Sequence, residues 1–160
     1  MSQDYEDGFA VTVAARDGRW VVREFEDDFT SLSTSVSAVR ALRSEGPAFA
    51  ILNVEEDYFV VVRPGPSRTR LLISDATMAV DDDFAADVLD EAGIDIPDIE
   101  PETLDDIDGW ADGDFDIFAD LGLSEQVLSV LLDGDDDPYV AIERIAEEIG
   151  FSDELAQCLD

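Results

Sequence analysis

Residues 49–80 read FAILNVEEDYFVVVRPGPSRTRLLISDATMAV. Three apolar runs, AFAILNV from Ala48, YFVVVR from Tyr58 and TRLLISD from Thr69, are divided by the acidic turn Glu55-Glu56-Asp57 and the turn Pro64-Gly65-Pro66-Ser67. Each run is strand-sized and rich in β-branched and aromatic residues. Apolar side chains fall at consecutive positions instead of alternating, the pattern of interior strands covered on both faces. The stretch therefore predicts the middle of a sheet, with helices covering it.

Toward the N-terminus, FAVTVAA from Phe9 and WVVREF from Trp20 flank Arg16-Asp17-Gly18-Arg19. Asp-Gly tolerates positive φ at both central positions of a hairpin turn, so strands are predicted over 9–15 and 19–25. After the acidic bend Glu26 to Asp28, Leu32, Val36, Val39 and Leu42 recur at helical spacing. Ser31 or Ser33 can cap that helix, Arg40 and Arg43 suit its last turn, and Gly46-Pro47 ends it.

Toward the C-terminus, Asp81 to Asp83 open a second helix with Phe84, Val88 and Leu89 as its stripe and Gly93-Ile94 as its stop. The order ββαβββα defines an α+β domain over 1–96, a mixed, mostly antiparallel sheet with packed helices. Residues 97–113, PDIEPETLDDIDGWADG, have the composition of an acidic linker. A small all-α module is predicted over 114–160. Phe115, Phe118, Ala119 and Leu121 suit one short helix, and Ser124 caps another carrying Val127, Leu128, Leu131 and Leu132. Asp137-Pro138 opens a third with Ile142, Ile145, Ala146 and Ile149, and Ser152 starts a last turn and a half. So few residues cannot hold much core alone, so the module is expected to dock on the first domain or on a partner.

Charge sets the chain apart. Its 160 residues hold 41 acids and nine basic residues, all arginine, for a net charge of -32. Residues 1–80 carry 13 acids and eight arginines, whereas 81–160 carry 28 acids and only Arg144. Nucleic acid and anionic lipid are bound through clustered cations, so neither direct nucleic-acid binding nor membrane binding is expected, and a basic partner suits this surface. Adaptation to high salt is a different reading of the same charge. No apolar run approaches the ~20 residues that span a bilayer. The opening MSQDYEDG lacks the basic and apolar regions of a secretory leader, and the one cysteine, Cys158, allows no internal disulfide. Both point to a cytoplasmic protein.

Catalytic sets are scarce. With no histidine and one cysteine two positions from the end, Ser/His/Asp, Cys/His and ordinary zinc-ligand sets cannot be built. There is no Gly-rich phosphate loop. Asp112, Asp114 and Asp116 match the first ligand positions of a calcium-binding loop, but Ile117 and Leu123 stand where Gly and Glu are needed. Asp133, Asp135 and Asp137 do the same, with Pro138 and Arg144 in those places. No enzyme activity, cofactor or metal is expected. In the linker, Leu104, Ile107 and Trp110, with Asp112, Asp114 and Asp116, are the candidate partner-binding residues, the plain alternative being a solvated linker. Arg63, Arg68 and Arg70 flank the Pro/Gly turn; they read as internally paired with carboxylates, and secondarily as an anion site.

These blocks in order, FAVTVAARDGRW, AFAILNVEEDYFVVVRPGPSRTRLLISDATMAV, an acidic linker, DFDIFADLGLSEQVLSVLLD and a helix ending EEIGFSDEL, resemble the actinobacterial tRNA adenosine deaminase-associated proteins. The resemblance implies association with the tRNA-editing adenosine deaminase, a link that rests largely on neighbouring genes. It implies no catalytic residue set. The deaminase's own zinc site needs His-x-Glu and Pro-Cys-x-x-Cys, which this chain lacks. The expected function is a non-catalytic accessory protein that binds the deaminase through its acidic C-terminal half. The alternatives are an acidic nucleic-acid mimic or regulator of another basic protein, and a general soluble domain whose charge reflects salt.

Overall fold

The computed structural model describes residues 8–133 and 137–159. Strands β1 (Gly8–Arg16) and β2 (Arg19–Glu24) form the hairpin predicted from Asp17-Gly18, and both turn residues have positive φ, 54° and 78°. Helix α1 (Leu32–Ala41) follows, capped by Ser31, whose hydroxyl accepts from the Ser33 amide. Strands β3 (Ala48–Val54), β4 (Tyr58–Pro64) and β5 (Thr69–Ile73) are the three apolar runs. Helix α2 (Asp83–Ala92) has Asp82 as its N-cap and Gly93 in the left-handed region as its C-cap.

The sheet has the order β2-β1-β3-β4-β5-β6, and every pairing is antiparallel. Its last strand, β6 (Asp112–Gly113), comes from the end of the segment that composition marks as a linker. Gly113 lies opposite Leu72 at φ 122°, and a Cβ there would run into the Leu71 carbonyl oxygen. Only glycine lets the chain come this close to β5. The rest of that segment includes a 3-10 turn over Pro101–Asp106.

Alternation sorts the sheet into two faces. One face, with Ala50, Leu52, Tyr58, Val60 and Leu71, is covered by α1, a 3-10 turn (Ala76–Val80) and α2. The other, with Phe9, Val11, Phe49, Ile51, Phe59 and Leu72, is covered by the C-terminal helices α3 (Glu125–Leu132), α4 (Pro138–Ile149) and α5 (Ser152–Leu159). The result is three layers, helix on sheet on helix, an α+β fold. Phe49 sits at the seam: its ring meets Phe118 at 5.0 Å, Phe151 at 5.9 Å and Trp20 at 6.4 Å. Glu56, itself in the left-handed region, makes a second tie by accepting from the first-turn amide of α4 at Tyr139 (2.9 Å).

Two local expectations give way. The segment from Phe115 to Leu121 forms turns and one 3-10 stretch (Ala119–Leu121) instead of a helix, although Ile117 and Phe118 are fully buried. Asp114 and Asp116 bond locally, the Asp116 amide donating to Asp114 Oδ1, and short acidic side chains that do this compete with a helix. On α3, Leu128 is buried but Val127 is 41% exposed, so the stripe that covers the sheet is narrower than the apolar run suggests.

Candidate functional site

Arginines gather at one end of the sheet, in company with Asp17, Asp114 and Asp120, and the other end is acidic. At one end lie the β1–β2 turn, the end of α1 and the β4–β5 turn, with Arg16, Arg19, Arg40, Arg43, Arg63, Arg68 and Arg70. At the other end lie the β3–β4 turn and the start of α2, with Glu55, Glu56, Asp57, Asp81, Asp82 and Asp83. Burial, followed by the nearby charges of Asp82, Glu55 and Asp57, holds the Tyr58 phenol above its ordinary value.

Trp110 stands at the acidic end of β5. Its carbonyl accepts from the Ala76 amide at 2.7 Å, which fixes the backbone, while its residue surface is 43% exposed. It lines an open groove of about 540 Å³ together with Phe115, Val130 and Leu132, bordered by Asp108 and Asp133. Val130 is 74% exposed on α3. An indole and a valine held on fixed backbone and rimmed by carboxylates form a surface for an apolar side chain flanked by cations.

The other candidate residues are dispersed. Leu104 lies in the 3-10 turn and Ile107 just after it, 37% exposed, and neither lines the groove. Asp112 accepts from the Gly113 amide in β6. Asp114 binds Arg70 (Oδ2 to Nε, 2.6 Å), and Asp116 is exposed beside it. Arg63 makes a fork: both guanidinium nitrogens donate to Asp120 at 2.7 Å, and Nη1 also donates to the Ile117 carbonyl at 2.6 Å. Arg68 is exposed and lines a neighbouring hollow with Arg70, Glu91 and Asp112. Burial pushes the Asp114 carboxyl up, but the hydrogen bond and charge of Arg70 outweigh it and hold it below its ordinary value. The Arg63 hydrogen bond does the same for Asp120 against a smaller burial effect.

The positions missed by sequence reasoning are Val130, Asp108 and Asp133 at the groove. A signal for Val130 existed, since Val127 and Val130 fall off the Leu128, Leu131, Leu132 stripe when α3 is drawn as a wheel. Asp135 of the second calcium-like run lies outside the described residues. Among the described residues no group of three His, Cys, Asp or Glu side chains is arranged to hold a metal ion, and no helix is long and apolar enough to cross a membrane. Burial, followed by the charge of Glu24, raises the half-buried Cys158 thiol above its ordinary value, which disfavours the thiolate.

The fold and surface thus define a three-layer α+β protein with an acid-rimmed groove that holds the exposed side chains of Trp110 and Val130. The chain belongs to the Rv3753c-like tRNA adenosine deaminase-associated protein family, whose model matches residues 8–152. It is similar to Protein Rv3753c of Mycobacterium tuberculosis, at 44% identity over 160 residues, covering 98% of this chain and 90% of the relative. No solved structure matches it.

Proposed function

We propose that this chain is a non-catalytic accessory protein that binds the tRNA-editing adenosine deaminase through its acidic C-terminal half, with the Trp110 groove as the anchoring point. The observation that carries the reading is the pairing of two exposed apolar side chains, Trp110 and Val130, with a carboxylate rim in a protein of net charge -32. An enzyme that binds tRNA offers basic surface, and a groove of this kind accepts an apolar side chain from such a surface while its rim meets neighbouring Arg or Lys. The family's name supports the choice of partner. The same acidic end also fits an acidic nucleic-acid mimic that occupies another basic protein.

Titration calorimetry with the deaminase of the same organism at about 0.15 M salt tests the reading. A complex is expected, and Trp110→Ala should weaken it by about tenfold or more with the melting temperature unchanged. Absence of a complex overturns the assignment. Displacement of this chain from the deaminase by tRNA would place it on the tRNA-binding face, whereas a complex untouched by tRNA places it elsewhere on the enzyme.

A further inference from the structure

Three stretches distant in sequence meet at the acidic end of the sheet around a hollow of about 650 Å³. The bend after β2 supplies Phe29, and the β3–β4 turn supplies Glu55 and Asp57. The 3-10 turn and the start of α2 supply Met78, Asp81, Asp82, Asp83 and Phe84. No arginine lines the hollow, and among the described residues no salt bridge engages any of its five carboxylates. Like charges gathered without a counter-charge repel one another, and a bound cation relieves that cost. Behind them the Tyr58 side chain is fully buried, and its hydroxyl meets no hydrogen-bond partner. Burial and then the charges of Asp82, Glu55 and Asp57, three of the acids of the hollow, keep that phenol protonated. Its oxygen is a free acceptor for a donor supplied from outside the chain.

Two features select the kind of cation. Among the described residues no three acids are arranged to hold a metal ion, so these carboxylates do not converge on one hard centre. The surface between them is apolar, with Met78 and the rings of Phe29 and Phe84, whose centroids are 6.3 Å apart. We infer that the hollow binds a linear aliphatic polyamine, with its ammonium groups on separate carboxylates, its methylene spacers on Phe29 and Met78, and the Tyr58 hydroxyl accepting from one ammonium. Spaced charges on a flexible stem suit dispersed acids, and an ammonium is also attracted to an aromatic face.

Calorimetry on the full chain with spermidine, magnesium chloride and tetralysine, at a matched ionic strength of about 0.15 M, tests this. One spermidine should saturate ahead of any diffuse binding to the remaining acids, and magnesium should not compete with it. Asp57→Asn combined with Asp81→Asn should weaken spermidine at least about fivefold. Both positions are exposed and the change keeps side-chain size, so the fold is expected to persist by circular dichroism. Glu147→Gln combined with Glu148→Gln removes the same charge from the far end of α4 and should alter binding less than about twofold. Tyr58→Phe should weaken binding about threefold or more, whereas a hydroxyl that is merely buried would leave it unchanged. The inference is overturned by the absence of a saturable spermidine site up to about 10 mM, by magnesium displacing spermidine at equal ionic strength, or by equal losses in the two double variants. Unchanged binding in Tyr58→Phe also overturns it, as does tetralysine bound over about tenfold more tightly than spermidine, which would make the hollow a contact for a basic protein segment.

Discussion

Arg63 shows why a chain without lysine gains from arginine. Its planar fork reaches both oxygens of Asp120 and the Ile117 carbonyl together, tying the loop that buries Ile117 and Phe118 to β4. A lysine ammonium is a single point and cannot satisfy that set. Arg63→Lys should therefore lower stability by about 1 kcal/mol in urea denaturation, a modest figure because Asp120 is half exposed. The titration of these residues has a definite sign. Asp114 and Asp120 have folded values below their ordinary 3.8, so their stabilisation is present above that value and is lost as pH falls through the depressed ones. Asp27 behaves oppositely: burial raises it, a hydrogen bond from the Phe29 amide opposes this, and its cost disappears as pH falls through the raised value. Relief of self-repulsion acts in the same direction as Asp27. The urea midpoint should rise as pH falls from neutrality toward the carboxylate range and then drop at lower pH, where the arginine pairs are lost.

Among the elements, β6 depends on one residue. Gly113→Ala puts a Cβ against the Leu71 carbonyl and 2.9 Å from the Leu72 Cα, at a φ that side chains disfavour. It should destabilise the protein by about 2 kcal/mol or more and speed amide exchange at Asp114, whose N–H donates to the Leu71 carbonyl. The central strands were legible in sequence because their apolar runs exceed anything else in the chain and the turns between them are unambiguous. β6 was not, because a two-residue strand has no periodicity to read and its pairing depends on a long-range approach. The Phe115 to Leu121 segment was misread for a related reason: its apolar spacing fits a helix, while the bonds that help decide its shape, from Arg63 to the Ile117 carbonyl and from Arg70 to Asp114, come from β4 and β5. The same holds for the Trp110 groove. Trp110 is conspicuous in sequence, but Val130 joins it only through the packing of α3.

In the whole molecule, residues distant in sequence share one core. Phe49 touches Trp20, Phe118 and Phe151, so Phe49→Ala should cost about 3–5 kcal/mol. It should do so in one transition followed alike by tryptophan fluorescence and far-ultraviolet dichroism; two separated transitions would show that the C-terminal helices melt independently of the sheet. Net charge acts against this core. Raising salt from about 0.02 to 0.5 M should raise the melting temperature, because screening weakens the repulsion among carboxylates, and a flat response would show that they are spaced too widely to matter.

The acids Glu55, Asp57, Asp81, Asp82 and Asp83 at one end of the sheet also attract a cationic partner before any contact is made. Attraction of this range shortens the search for a productive encounter, and its benefit shrinks as salt is raised.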